Sequence, residues 1–150
     1  MKILKLIFCI IICQLAGLIG SLFTTPSIPT WYASLQKPII VPPNWIFAPV
    51  WITLFFLMGI SLYIILEKKD RRALIYFSIQ LILNILWSMI FFGFHSLFLA
   101  FIEIIILWVF IFLTIMSSYK TSKAAAYLLI PYLLWVSFAA VLNLSLFLLN

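Results

Sequence analysis

The chain has 150 residues, of which 67% are hydrophobic, 18% aromatic and only 8% charged. Its mean hydropathy is +1.33, and three acidic residues cannot keep a globule of this size in water, so a soluble domain is excluded. The net charge of +6 would point to nucleic acid if it lay on a water-facing surface. Here the cations stand between apolar runs, where membrane topology accounts for them and no nucleic-acid partner is expected.

A helix needs about 20 apolar residues to cross the bilayer core. The chain has room for five such crossings and little else. The expected fold is an all-α integral membrane protein, one five-helix bundle domain over residues 1–150. The predicted helices cover 3–24, 45–66, 73–94, 97–118 and 124–149, with an aromatic loop at 25–44.

The first run opens with Lys2 and Lys5. Its apolar core is too long for a signal peptide, and no A-x-A-like cleavage site follows. Gly17, Gly20, Ser21 and Thr24 form a small-residue stripe that lets another helix, or a ligand, approach the backbone. Cys9 and Cys13 lie one turn apart. Two sulfurs with no nearby histidine make no metal site, and the pair reads as small apolar residues.

Between the first and second runs lies Trp31–Trp51, WYASLQKPIIVPPNWIFAPVW. It holds three of the six tryptophans, four of the seven prolines and one lysine, Lys37. Solvated loops favour Gly, Ser, Asn and Asp. This composition instead fits a rigid segment at the membrane–water boundary. It reads either as an anchoring belt or as a lid on a cavity. Asn44 is the expected N-cap of the second helix, and Pro49 is expected to tilt its first turns. The turns that follow are Glu67–Arg72, then Gly93–Ser96 with the single histidine His95, then Lys120–Lys123.

Counting cations orients the chain. With a cytoplasmic N-terminus, eight Lys and Arg fall inside and Lys37 alone falls outside, a strong positive-inside pattern. The aromatic loop and the C-terminus then lie outside the cytoplasm, an arrangement that fits a bacterial inner membrane and is also consistent with an organellar one.

Polar residues inside the spans carry a free-energy cost and need a reason to be there. Gln80, Asn84, Trp87, Ser88 and Phe91 share one helical face, and Tyr132, Trp135, Ala139 and Asn143 share another. The bland role for the amides is interhelical hydrogen bonding, worth about 0.6 kcal/mol per contact. The sharper role is orienting a ligand. Glu103 stands about 9 Å into the fourth helix at 1.5 Å per residue and is expected to be protonated or hydrogen-bonded within the bundle. No second intramembrane acid completes a proton relay.

The motifs W-Y-x-x-L-x-K-P (Trp31–Pro38), P-P-x-W (Pro42–Trp45) and F-A-P-V-W (Phe47–Trp51) stand in order along the chain. Q-L-x-L-N-x-x-W-S (Gln80–Ser88), F-F-G (Phe91–Gly93) and P-Y-x-x-W-x-x-F-A-x-x-L-N (Pro131–Asn143) follow them. With these, the sequence resembles the translocator protein family, also called tryptophan-rich sensory proteins or peripheral-type benzodiazepine receptors. The resemblance implies a homodimeric five-helix bundle with a cavity beneath the first loop. Its implied ligands are tetrapyrroles such as protoporphyrin IX, sterols, or other apolar small molecules, with no cofactor.

Tyr32, Asn84, Trp87 and Ala139 carry over as pocket positions, joined by Trp31, Trp51, Ser88 and Leu142. Lys37 is placed to pair with a propionate. Trp51 and Trp135 match the tryptophans associated with light- and oxygen-dependent porphyrin breakdown. Two departures stand out. Ile40 replaces the tryptophan of K-P-x-W, and the tail after Asn143 lacks the aromatic and basic residues of the sterol consensus. Three functions remain open: a tetrapyrrole-binding sensor, a porphyrin-degrading enzyme, and a transporter.

Overall fold

The computed structural model describes residues 1–150. It is entirely helical, with α1 at Lys2–Ser27, α2 at Phe47–Glu67, α3 at Arg71–Ser88, α4 at Leu97–Tyr119, α5 at Lys123–Leu128 and α6 at Ile130–Leu149. With α5 and α6 forming one span, five helical segments are long and apolar enough to cross a membrane.

Local chemistry sets the ends. Asp70, Ser96 and Ser122 each accept a hydrogen bond from the backbone N–H three residues on, capping α3, α4 and α5. Pro131 has no N–H to give, and its ring crowds the preceding turn. The last span therefore breaks at Leu129 and restarts with the proline in the first turn of α6.

The first helix runs further than the sequence predicts. It passes Pro26 and widens into a π turn at Ile28–Tyr32, so half of the expected loop is helical. The Thr30 hydroxyl donates to the Pro26 carbonyl at 2.9 Å. Ser27 ties the turn to α3 through the Phe92 carbonyl at 2.7 Å. A matching π turn, Met89–Gly93, ends α3. Asn44 opens a 3-10 turn at Asn44–Ile46 and makes no side-chain cap, which corrects its expected role.

One main core joins the helices. Cys9, Cys13 and Ala16 of α1 meet Leu54, Phe55, Met58 and Leu62 of α2, with Phe77, Ile104, Leu107, Ile111 and Val136 behind them. Gly59 allows the closest crossing: a Cβ there would lie 2.5 Å from the Ile10 Cα. Large apolar side chains such as Ile3, Phe8, Leu22 and Leu148 are left exposed on the outside, where lipid would cover them. The α2–α3 and α4–α5 turns meet through a hydrogen bond from the Thr121 hydroxyl to Asp70 Oδ2 at 2.8 Å. Lys5 pairs with Glu67 at 2.6 Å. One end of the bundle therefore gathers the N-terminus and both charged turns.

Candidate ligand cavity

At the opposite end the helices splay around a cavity of about 430 Å³. That size suits a small-molecule site. Tyr32 comes from the π turn that extends α1, and Phe47, Trp51 and Phe55 come from α2. The α3 side adds Asn84, Trp87, Ser88 and Phe91, and α6 adds Trp135, Phe138, Ala139 and Leu142. On the α1 side the wall is thin. A Cβ on Gly17 would lie 2.7 Å from the Phe55 ring, and one on Gly20 would lie 3.1 Å from Ser88 Oγ. The small-residue stripe thus serves helix contact and cavity wall together.

The aromatic walls brace one another. Trp51 stacks on Phe55 at 5.5 Å and 30°, and Trp87 stacks on Phe91 at 4.8 Å and 29°. Trp135 meets Phe47 edge-on at 6.0 Å and Phe138 at 5.5 Å. Such pairs hold the ring faces in fixed orientations.

The polar groups below and beside the rings are largely engaged with one another. Asn84 Nδ2 donates to the Tyr132 hydroxyl at 2.7 Å, which donates to Gln80 Oε1 at 2.8 Å. Trp87 Nε1 donates to Asn143 Oδ1 at 3.1 Å, and Asn143 Nδ2 donates to the Leu97 carbonyl at 2.9 Å. These bonds tie α3 to α6 and α6 to α4. Gln80, Tyr132 and Asn143 are each only 1% exposed, so they act as glue in the bundle. Asn84 and Asn143 also line the cavity, and Gln80 and Tyr132 do not.

Tyr32, Trp51, Asn84, Trp87, Ser88, Trp135, Ala139 and Leu142 share this wall, while Trp31 and Lys37 lie outside it. Trp31 stacks on His95 at 4.4 Å and 8° and meets Phe91 edge-on at 5.6 Å. The Lys37 ammonium sits 4.7 Å over the Tyr32 ring and donates to the Leu35 and Ala33 carbonyls at 3.2 and 3.4 Å. Glu103 sits on α4 away from the wall, with both carboxyl oxygens buried and without a hydrogen-bond partner. Of the two expected states, protonated or hydrogen-bonded within the bundle, the second is not formed.

Sequence reasoning passed over Phe55, Phe138 and Gln14 as wall residues. Phe55 follows Trp51 by four residues and Phe138 follows Trp135 by three, so helical spacing from each tryptophan carried the signal. Gln14 is an amide within an apolar helix, and its Nε2 donates to the Ile52 carbonyl at 2.9 Å.

Fold and site together define a small polytopic helical membrane protein with an aromatic cavity at one end of its bundle. The chain belongs to the TspO/MBR family, whose pattern it matches over residues 9–149. It is 46% identical to the tryptophan-rich protein TspO of Archaeoglobus fulgidus, over 100% of this chain and 99% of that one. It is 37% identical to the translocator protein of Bos taurus, over 87% and 80% of the two chains. With the tryptophan-rich sensory protein of Cereibacter sphaeroides the identity is 32%, over 80% and 77%. The chain is an integral membrane protein of the translocator and sensory class.

Proposed function

We propose that this protein is a membrane receptor for a flat, mostly apolar small molecule, with a tetrapyrrole such as protoporphyrin IX as the ligand. The observation that carries the reading is the cavity wall, where three tryptophans from three helices and Tyr32 from the α1 extension surround one space. Indole faces stack on a conjugated macrocycle. Asn84 is the polar group that fixes its orientation in an apolar pocket. Lys37 reaches a propionate by leaving the Tyr32 ring. The segment from Trp31 to Asn44 acts as the lid. The protein works as a homodimer in a bacterial inner membrane, with its cation-rich end in the cytoplasm.

A second reading, photo-oxidative breakdown of the bound porphyrin, is favoured by one placement. Trp51 and Trp135, the two tryptophans associated with that chemistry, line the same cavity. Titration of the detergent-purified protein with protoporphyrin IX tests both readings. In the dark, saturable quenching of tryptophan fluorescence that weakens in Trp51→Ala and Trp135→Ala supports the receptor. Loss of the porphyrin spectrum under light, with a defined product that the two variants fail to make, adds the enzyme. Linear, non-saturable quenching in the dark would end the tetrapyrrole reading.

A further inference from the structure

The first helix changes partners along its length. In its first half it packs on α2. A Cβ on Gly59 would lie 2.5 Å from the Ile10 Cα, and one on Gly17 would lie 2.7 Å from the Phe55 ring. The Gln14 amide donates to the Ile52 carbonyl at 2.9 Å. From Gly20 onward its close partners belong to the α3 side. Gly20 approaches Ser88, the Phe23 ring lies 3.1 Å from a Cβ placed on Gly93, and Ser27 donates to the Phe92 carbonyl at 2.7 Å. Toward the lid, α1 therefore leans away from the start of α2. No hydrogen bond joins the two helices beyond Gln14. The Ser21 and Thr24 hydroxyls return to carbonyls of α1, and the Thr53 hydroxyl returns to Pro49.

The gap this leaves is one side of the aromatic cavity. Leu18 and Thr25 of α1 and Ala48 and Ile52 of α2 line the cavity and are also exposed. Leu18 is 60% exposed and Ile52 59%. Leu18 shares an outward stripe with Leu15 and Leu22, and Ile52 shares one with Phe56, so lipid covers the surface that borders the gap. From Leu18 to Thr25 the gap is about 10 Å tall at 1.5 Å per residue. The lid, by contrast, is fastened at three points. Trp31 stacks on His95, Lys37 sits over Tyr32, and the Asn150 side chain holds the Gln36 backbone twice, at 3.0 and 2.9 Å.

We infer that the ligand enters and leaves sideways, between α1 and α2, from the half of the bilayer on the lid side, while the lid stays closed. The class of molecule this admits is a membrane-dissolved amphiphile, with a flat apolar body in the hydrocarbon and polar groups at head-group level. Such a molecule passes into the cavity without leaving the bilayer. A water-borne molecule of the same size meets the fastened lid. The inference rests on the reading of the cavity as the ligand site.

The test compares two bridged variants with the parent in phosphatidylcholine nanodiscs. Leu18→Cys with Ile52→Cys, joined by a short bis-maleimide, bars the gap. Gln36→Cys with Asn150→Cys, joined in the same way, locks the lid. Cys9 and Cys13 are 1% and 0% exposed, so the reagent reaches the introduced thiols alone. Protoporphyrin IX is added in the dark, and tryptophan quenching is followed by stopped flow. Barring the gap should slow association and dissociation at least tenfold each and leave Kd within threefold. Locking the lid should leave both rates within twofold. Unchanged rates with the gap barred would overturn the side entry, as would a tenfold slowing with the lid locked. Absence of saturable binding in the parent would instead remove the receptor reading itself.

Discussion

Gly59→Ala is the most incisive perturbation of the bundle. The added Cβ would lie 2.5 Å from the Ile10 Cα, 2.9 Å from its Cγ1 and 3.0 Å from its backbone nitrogen. Ordinary contact begins near 3.4 Å, so α1 and α2 must part by roughly 1 Å, and no rotamer change relieves a clash with backbone. Overpacking of this kind costs about 1–3 kcal/mol. Ala in place of Gly in a helix returns about 0.5–1 kcal/mol. A backbone clash belongs near the upper end of the first range, so the net loss is about 2 kcal/mol. On the scale of soluble chains of this length, each kcal/mol lowers the midpoint by about 2–4 °C.

Thermal unfolding in a fixed detergent reads this directly. Ile10→Ala in the same background should not restore the midpoint, because the closest contact is to backbone. Gly20→Ala is the contrast. Its Cβ meets Ser88 Oγ at 3.1 Å, a side-chain atom able to rotate, so the midpoint should stay level or rise slightly. A Gly59→Ala midpoint at or above that of the parent would refute the close crossing of α1 and α2.

Other perturbations probe the polar links. Tyr132→Phe removes both hydroxyl bonds, to Asn84 and to Gln80. It should lower stability by about 1–3 kcal/mol, the cost of stranding buried polar groups, as measured by unfolding in the same detergent. The Asn150 side chain accepts the Gln36 N–H at 3.0 Å and donates to its carbonyl at 2.9 Å. Asn150→Ala should therefore speed hydrogen exchange at the Gln36 amide and leave the midpoint of the bundle unchanged. Glu67→Gln breaks the Lys5 pair. Because the pair is solvent-exposed, the midpoint should hardly move, and any difference from the parent should vanish in high salt.

Hydropathy alone made the five spans legible, because each exceeds the thickness of the hydrocarbon core. Helical spacing likewise placed Asn84, Trp87 and Ser88 on one face, and these three stand together on the cavity wall. The start of the aromatic stretch was not legible in the same way. Prolines disfavour a continuing helix, yet α1 passes Pro26 and widens into a π turn, where the Thr30 hydroxyl bonds the Pro26 carbonyl and the Ser27 hydroxyl bonds the Phe92 carbonyl. Once that turn is helical, adjacent residues point to different sides of it. Tyr32 then faces the cavity while Trp31 faces His95, a split that an extended loop conceals. From the sequence, Lys37 is expected near the mouth, placed to pair with a propionate. Tertiary placement put it over the Tyr32 ring, which spacing along the chain does not encode.

Ala139 offers the most direct test of the central claim that the aromatic cavity holds the ligand. It lies on α6 in the wall, half-buried and facing the empty space. Ala139→Phe would project a ring into that space, as a cavity-filling change. Binding of protoporphyrin IX by parent and variant, followed by the shift of the porphyrin absorbance in the dark, should show at least a tenfold rise in Kd with an unchanged thermal midpoint. Equal binding by a variant that folds like the parent would contradict the account and move the ligand out of the cavity.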